Sequence, residues 1–285
     1  MPLLLTIMVF AALGGIASAA VAVVFLWVRE EHSVLILPHF ISFATGALLG
    51  AALLALLPEA MAGAGPAGGR GIGLTLIAGL GVFFVIEKLV LWWHAHADVD
   101  DVAAAACPQH ADDPVARRDQ ERHRHGAGHV HDHARERASG VLVLVGDSLH
   151  NALDGALIAA AFLGSVQLGV LTTFAVAAHE IPHRVGDFAI LVQAGLSRSR
   201  ALVLNLLTGF ASVLGAVVAY FGLRDTQHAL PYALAFAAAG FLYIAVAGLI
   251  PGLHRRADAR TSAVQVLLIA AGIAVIAGAE RLAQQ

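Results

Sequence analysis

The sequence predicts an all-α polytopic membrane protein, and three observations lead there. Apolar runs of spanning length recur along the whole chain. Only 13% of the 285 residues are charged, against about 25% in an ordinary soluble domain. Mean hydropathy is +0.78, and roughly 20 consecutive apolar residues suffice to cross a hydrocarbon core. A single transmembrane domain over residues 1–285 accounts for this composition, whereas a pair of soluble domains does not. Cys107 is the one cysteine, which excludes a disulfide framework and gives no thiolate-based zinc site.

Apolar runs at 3–28, 34–58, 71–93, 140–165, 167–193, 201–222, 229–250 and 262–279 predict eight helices. The first superficially resembles a signal peptide, with Ala17-Ser18-Ala19 as a cleavage site. No positive charge precedes it, however, and the apolar run continues to Val28, so it reads as an uncleaved span. Span 2 ends in ALLPEA (Ala55 to Ala60) and span 7 in GLIPGL (Gly248 to Leu253). These spans run in opposite directions, so the match raises an inverted repeat of spans 1–3 and 6–8 around a central pair. Chance similarity between Leu/Ala-rich helices explains it equally well.

Residues 95–138 are different material, rich in charge and poor in large apolar side chains, and predict a polar loop between spans 3 and 4. His123, His125, His129, His131 and His133 lie in it. Imidazole binds zinc and similar metals, so loose metal capture is expected, without the fixed geometry that a defined site needs. Arginine orients the bundle. Arg29, the six arginines from Arg117 to Arg137, Arg198, Arg200, Arg255, Arg256 and Arg260 follow odd-numbered spans; only Arg70, Arg224 and Arg281 lie on the other side. The loops after odd spans, including the His-rich one, are therefore expected in the cytoplasm and both termini outside.

Spans 4 and 5 carry what a membrane helix normally excludes. An ionisable residue at the bilayer centre costs about 2.5–3.5 kcal/mol even on the lenient insertion scale. Yet AVAAHEIPHRVGDFAILV places His179, Glu180, His183, Arg184 and Asp187 within nine positions. Span 4 answers with Asp147, His150, Asn151 and Asp154. At helical spacing each set forms a row on one face. Asn151 lies thirteen residues before Gly164 and Glu180 sixteen after it. A tight turn there makes the helices antiparallel neighbours with both rows near one depth. Imidazoles, carboxylates and an amide oxygen form an N/O set suited to Zn²⁺, Fe²⁺, Mn²⁺ or Co²⁺, and a bound cation neutralises the carboxylates. Pro182 cannot donate to the Ala178 carbonyl, which predicts a kink.

The pair HNALDG (His150 to Gly155) and HEIPHRVGDF (His179 to Phe188) resembles the paired signatures of the ZIP (Zrt/Irt-like) divalent metal transporters, in the subgroup written HNxxDG and HEIPHExGDF. The resemblance covers nearly the whole chain, including FFVIEKLVLWW in span 3 and FLY in span 7. It implies a 3+2+3 bundle, a homodimer, and metal transport toward the cytoplasm across the plasma membrane, the inner membrane in a bacterium. It implies Zn²⁺ as substrate, with Fe²⁺, Mn²⁺ or Cd²⁺ as alternatives, no organic cofactor and no nucleic-acid partner. His150, Asn151, Asp154, His179, Glu180 and His183 would be the metal ligands, of one ion or two, with Asp147, Arg184 and Asp187 on the pathway.

The chain departs from the pattern at Arg184, where the subgroup has Glu, and at Ala51, Ala55, Gly248 and Gly252, where acids and a His are usual. Arg184 either pairs with Glu180 or Asp187 as a fixed cation in place of a second metal, or faces the cytoplasmic vestibule. A competing function is an intramembrane zinc metalloprotease, because HEIPH satisfies HExxH and Leu153-Asp154-Gly155 imitates a third-ligand motif. Against it, Pro182 interrupts the motif, LDG precedes HExxH instead of following it, and His150 and Asn151 are left without a role. A third reading, a cation exporter or metal sensor, differs only in direction or output; no P-loop supports ATP-driven pumping.

Overall fold

The computed structural model describes residues 2–20, 30–97, 144–254 and 258–283. Among them every regular element is helical, and the helices fall into eight consecutive stretches. α1 is Pro2–Ala12 and continues through a wide π turn, Leu13–Ala17. α2 comprises Glu30–Gly50, a π turn at Ala51–Leu56, and Leu57–Ala64. α3 is Gly69–Ala97, α4 spans residues 144–164, α5 is Val166–Gln193 and α6 is Arg198–Leu223. α7 comprises Leu230–Tyr243, a π turn at Ile244–Leu249, and Ile250–Leu253; α8 is Ala259–Ala283. Where the described residues reach both sides of a boundary, it lies within about six residues of the one expected from the apolar runs. The His-rich segment, with His123, His125, His129, His131 and His133, lies outside the described residues, as does the stretch 21–29 at the end of the first apolar run.

Among the described residues, six stretches are long and apolar enough to cross a membrane: those of α1, α2, α3, α6, α7 and α8. α4 and α5 have comparable length, but their charged and polar rows lower their hydropathy. Large apolar side chains point outward from the bundle, as on α6, where Val203, Leu207, Phe210, Leu214 and Val218 are each more than half exposed. A row of that size on a water-facing surface would be an aggregation site; against lipid it is matched to its solvent.

Small residues set the helix crossings. A Cβ on Gly155 would lie 1.7 Å from the Ser212 carbonyl oxygen, and one on Gly215 would lie 1.8 Å from that of Ala152. α4 and α6 therefore touch backbone to backbone, as glycine permits in membrane bundles. α1 meets α6 in the same way through Gly15 and Gly209. Gly46 and Gly272 bring α2 against α8. Gly79 lets Ala239 approach and Gly240 lets Phe83 approach, joining α3 to α7. Gly155→Val should destabilise the bundle by more than the ~1–3 kcal/mol of ordinary overpacking, because the obstacle is backbone. Thermal unfolding in detergent, expected to show early aggregation, checks this.

The π turns of α2 and α7 share a local cause. Each is six residues long and is followed at the second position by proline, Pro58 or Pro251. A proline donates no backbone hydrogen bond and crowds the preceding turn, and widening that turn by one residue relieves both problems. The ALLPEA and GLIPGL segments thus adopt the same irregular backbone at matching positions.

Candidate metal centre

α4 and α5 are joined by a single non-helical residue. Ser165 is extended, and its Oγ accepts the Leu168 N–H at 3.1 Å, capping α5. The chain reverses there, so residues equally far from Ser165 meet. The matching depth inferred by counting residues is realised: the α4 row faces the α5 row.

Four ligand atoms converge between the helices. His150 Nε2 lies 3.3 Å from His179 Nε2, 3.8 Å from Asp154 Oδ2 and 3.5 Å from Glu180 Oε1. His179 Nε2 lies 3.3 Å from Asp154 Oδ2 and 3.9 Å from Glu180 Oε1. Zinc bonds of about 2.0–2.2 Å to nitrogen and oxygen, arranged tetrahedrally, imply ligand–ligand edges of roughly 3.3–3.5 Å. The observed separations match or slightly exceed that edge, so one ion fits at the centre of the four with small inward adjustments.

The polar satisfaction of these atoms points the same way. His179 Nδ1 sits 3.2 Å from the Ala175 carbonyl oxygen. Donating there places the proton on Nδ1 and leaves the Nε2 lone pair facing inward, the usual outer-shell support of a metal-bound imidazole. Asp154 Oδ2 and Glu180 Oε1 are buried and make no hydrogen bond. Buried carboxylate oxygens without a donor are costly. Here both are aimed at the same point as two imidazole nitrogens, an arrangement that a cation satisfies.

The remaining expected residues are placed as follows. Asn151 is fully buried, but its amide engages protein groups: Nδ2 donates to the Asp147 carbonyl and to Asp147 Oδ1, both at 2.8 Å, and Oδ1 accepts from Arg184. His183 packs its ring beside that of His150, at 5.2 Å between centroids. Its Nε2 lies 3.7 Å from Asp187 Oδ2, and with Asp147 these two form a second group of possible ligands. Its side chain is 49% exposed, and a Cβ on nearby Gly186 would meet open space. On the other side of the four ligands, Leu157, Ile158, Ala161, Phe162, Ala175 and Phe241 are buried. Polar side chains therefore continue from the four ligand atoms toward the C-terminal half of α5, and buried apolar ones cover them toward its N-terminal half.

Arg184 does not face a vestibule. It has no exposed surface and heads the fully buried side chains by volume. Nε donates to Glu180 Oε2 at 2.9 Å and Nη1 to Asp147 Oδ2 at 2.8 Å. Nη1 also reaches the Asn205 carbonyl at 2.8 Å, Asn205 Oδ1 at 3.0 Å and Thr208 Oγ1. Of the two carboxylate partners expected, the structure selects Glu180, and Asp147 replaces Asp187. Sequence reasoning missed Asn205 and Thr208. Their signal was available: two polar residues one helical turn apart in the otherwise apolar LNLLTGF of α6.

The geometry also decides against a protease. α5 is helical without a break through Pro182, so regularity of the helix is not the obstacle. The obstacle is that the two histidines of HExxH serve different groups: His179 joins the four-atom cluster while His183 turns to Asp187. Glu180, which would be the general base, is itself in the cluster and bonded to Arg184.

A helical bundle with an apolar exterior and a buried N/O cluster between two paired helices is the arrangement a membrane carrier for metal ions requires. Comparison with known proteins gives the family. The chain matches the ZIP Zinc transporter family over residues 2–280. It is 37% identical to Zinc transporter ZIP13 of Homo sapiens over 273 residues, covering 87% of this chain and 72% of that protein. It is 34% identical over 263 residues to Zinc transporter ZIP13 of Danio rerio, covering 85% and 75%. It is 32% identical over 309 residues to Zinc transporter SLC39A7 of Rattus norvegicus, covering 85% and 64%. The chain belongs to the ZIP zinc transporter family. It is a multi-pass membrane transporter of divalent metal and not an enzyme.

Proposed function

We propose that the chain carries Zn²⁺ toward the cytoplasm through the centre formed by His150, Asp154, His179 and Glu180, with Fe²⁺, Mn²⁺ and Cd²⁺ as candidate alternative substrates. The observation that carries this reading is the set of four inward-facing ligand atoms at near-tetrahedral spacing, two of them carboxylate oxygens with no other partner. The relatives named above are zinc transporters, and the N/O set suits zinc.

All eight helices span the bilayer in this reading, α4 and α5 included, because the other helices and the bound ion shield their polar rows. The 3+2+3 arrangement is supported by packing: α1 contacts α6, while α2 against α8 is mirrored by α7 against α3. An exchange of helices 1, 2, 3 with 6, 7, 8 maps those contacts onto one another, and the paired π turns obey the same exchange. The arginine distribution supports a cytoplasmic side for the C-terminal half of α5. His183 and Asp187 then stand on the exit path. A cytoplasmic His-rich loop would collect released metal in this reading, and the resemblance to the family supports a homodimer in a plasma membrane, the inner membrane in a bacterium.

The test is uptake by the purified chain in liposomes, with Zn²⁺, Fe²⁺, Mn²⁺ and Cd²⁺ and gradients of both directions. Inward accumulation of zinc is expected, and zinc moving only outward would reverse the assignment. Deleting residues 110–133 should change the rate by no more than a few-fold; loss of all uptake on that deletion would transfer the essential site to the loop. Glu180→Gln should weaken uptake, and no peptide should be cleaved by either form.

A further inference from the structure

Six oxygen acceptors from α4, α5 and α6 converge on one guanidinium: Glu180 Oε2, Asp147 Oδ2, Asn151 Oδ1, the Asn205 carbonyl, Asn205 Oδ1 and Thr208 Oγ1. Four of them, Asp147 Oδ2, the Asn205 carbonyl, Asn205 Oδ1 and Thr208 Oγ1, surround Nη1 alone, an oxygen environment of the kind a hard divalent cation takes. Here the position is filled by the protein's own charge. Glu180 divides its carboxylate between the two places: Oε2 accepts from Arg184, while Oε1, buried and without a hydrogen bond, faces the two imidazoles.

We propose that Arg184 is a built-in cation of the metal centre, standing where a second divalent ion would otherwise bind, so that the centre carries one metal ion per chain and Glu180 is held as a single-oxygen ligand to it. The proposal rests on the assignment of the four-ligand cluster as the transport site and adds its stoichiometry.

Electrostatics support one ion. Arg184 bonds to both Glu180 and Asp147, so a second ion sharing those carboxylates would lie beside a fixed positive charge in a buried site, where uncompensated repulsion is heavily penalised. Asp187, a fourth buried carboxylate, faces His183 instead. Geometry supports it as well. An arginine fork is rigid and always charged; with Nε on Glu180 and Nη1 on Asp147, it fixes the rotation of the Glu180 carboxylate and so the direction of Oε1. The guanidinium also remains when the cargo leaves. Glu180 keeps a charged partner in the empty state, and the transported ion need not share that carboxylate with a second metal.

The experiment is zinc-edge anomalous diffraction from the intact chain crystallised with Zn²⁺. The expected wild-type map has one peak bonded to His150, Asp154, His179 and Glu180, and none within bonding range of Asp147 Oδ2 and Asn151 Oδ1. R184E, which removes the cation and restores a carboxylate, should show two peaks, while R184K should show one. Two wild-type peaks in the centre would overturn the inference and leave the transport site intact. No wild-type peak at the four ligands would overturn the site assignment and the inference together. R184E with a single peak would also overturn it. If R184E does not fold, R184Q and the wild-type map decide: R184Q is expected to gain a second peak, and a Mn²⁺-loaded R184Q sample should show the spin coupling of neighbouring ions where wild type shows none.

Discussion

Replacing His179 by alanine is expected to abolish zinc uptake in proteoliposomes while leaving the helical fold intact, the largest functional effect of any single substitution in the centre. His179 Nε2 is 3.3 Å from both His150 Nε2 and Asp154 Oδ2, so it supplies one corner of the tetrahedron and shares its shortest edges. Losing an outer-shell partner of a metal ligand typically costs roughly 10–100-fold, and losing the ligand should cost at least the upper end of that range. Asp154→Asn should approach the same loss, because it removes a charge as well as a strong donor atom. The contrast that makes the result specific is His183→Ala. His183 belongs to the second group with Asp147 and Asp187, so its loss should slow uptake without eliminating binding at the centre. Uptake of metal isotope, combined with equilibrium binding on the same preparations, separates the two. Equal loss of binding in both variants would require His183 to be a ligand of the same ion, as the resemblance to the family implies.

The largest effect on stability is expected from Arg184→Met. The side chain is fully buried and pairs with Glu180 and Asp147, themselves nearly or fully buried. Removing one partner of a buried ion pair costs about 3–5 kcal/mol, because the remaining charge has neither water nor counter-ion. Methionine fills much of the volume, so the loss reports charge and hydrogen bonding more than a cavity. Arg184→Lys keeps the charge but loses the fork that reaches both carboxylates, and should fall between the two. The check is thermal unfolding in detergent with and without Zn²⁺. Metal should raise the midpoint of Arg184→Met more than that of the parent chain, since an ion that binds the vacated oxygens stabilises the folded state by mass action. An Arg184→Met protein as stable as the parent would mean that the six acceptors are satisfied without the guanidinium.

Much of this centre was legible in the sequence, because a bilayer makes polar residues conspicuous. His150, Asp154, His179 and Glu180 stand out against apolar flanks, and counting from the single turn at Gly164 and Ser165 was enough to set them side by side. Helical periodicity fixed which residues share a face, but not which rotamer each adopts. That is why Asn151 and His183 belonged to the expected ligand set while the structure turns Asn151 to Arg184 and Asp147, and His183 to Asp187. The partners of Arg184 were half legible. Glu180 followed from the i, i+4 spacing, whereas Asn205 and Thr208 come from α6, and the register of α6 against α5 depends on the glycine contacts that bring α4, α6 and α1 together. The π turns were not legible as such. Proline marked their positions, but whether a proline bends a helix, widens a turn or passes unnoticed is decided by neighbours. At Pro182 the helix continues, and at Pro58 and Pro251 it widens.

The backbone contacts at glycine have a kinetic consequence. α1, α4 and α6 cannot slide past one another while Gly15, Gly155, Gly209 and Gly215 interlock, and Arg184 fastens α5 to α4 and α6. All four candidate metal ligands therefore lie on one interlocked group of helices. α2 with α8, and α3 with α7, are interlocked separately. Contacts between these groups include the edge-to-face pair of Phe43 and Phe174, 6.2 Å between centroids, and Phe241 against the ring of His179 at 6.5 Å. Relative movement along the seam they mark should leave the distances among the four ligand atoms unchanged. The expected result is that substitutions at the four candidate ligands shift preference among metals, whereas substitutions at Phe43 or Phe174 shift turnover and leave that preference alone.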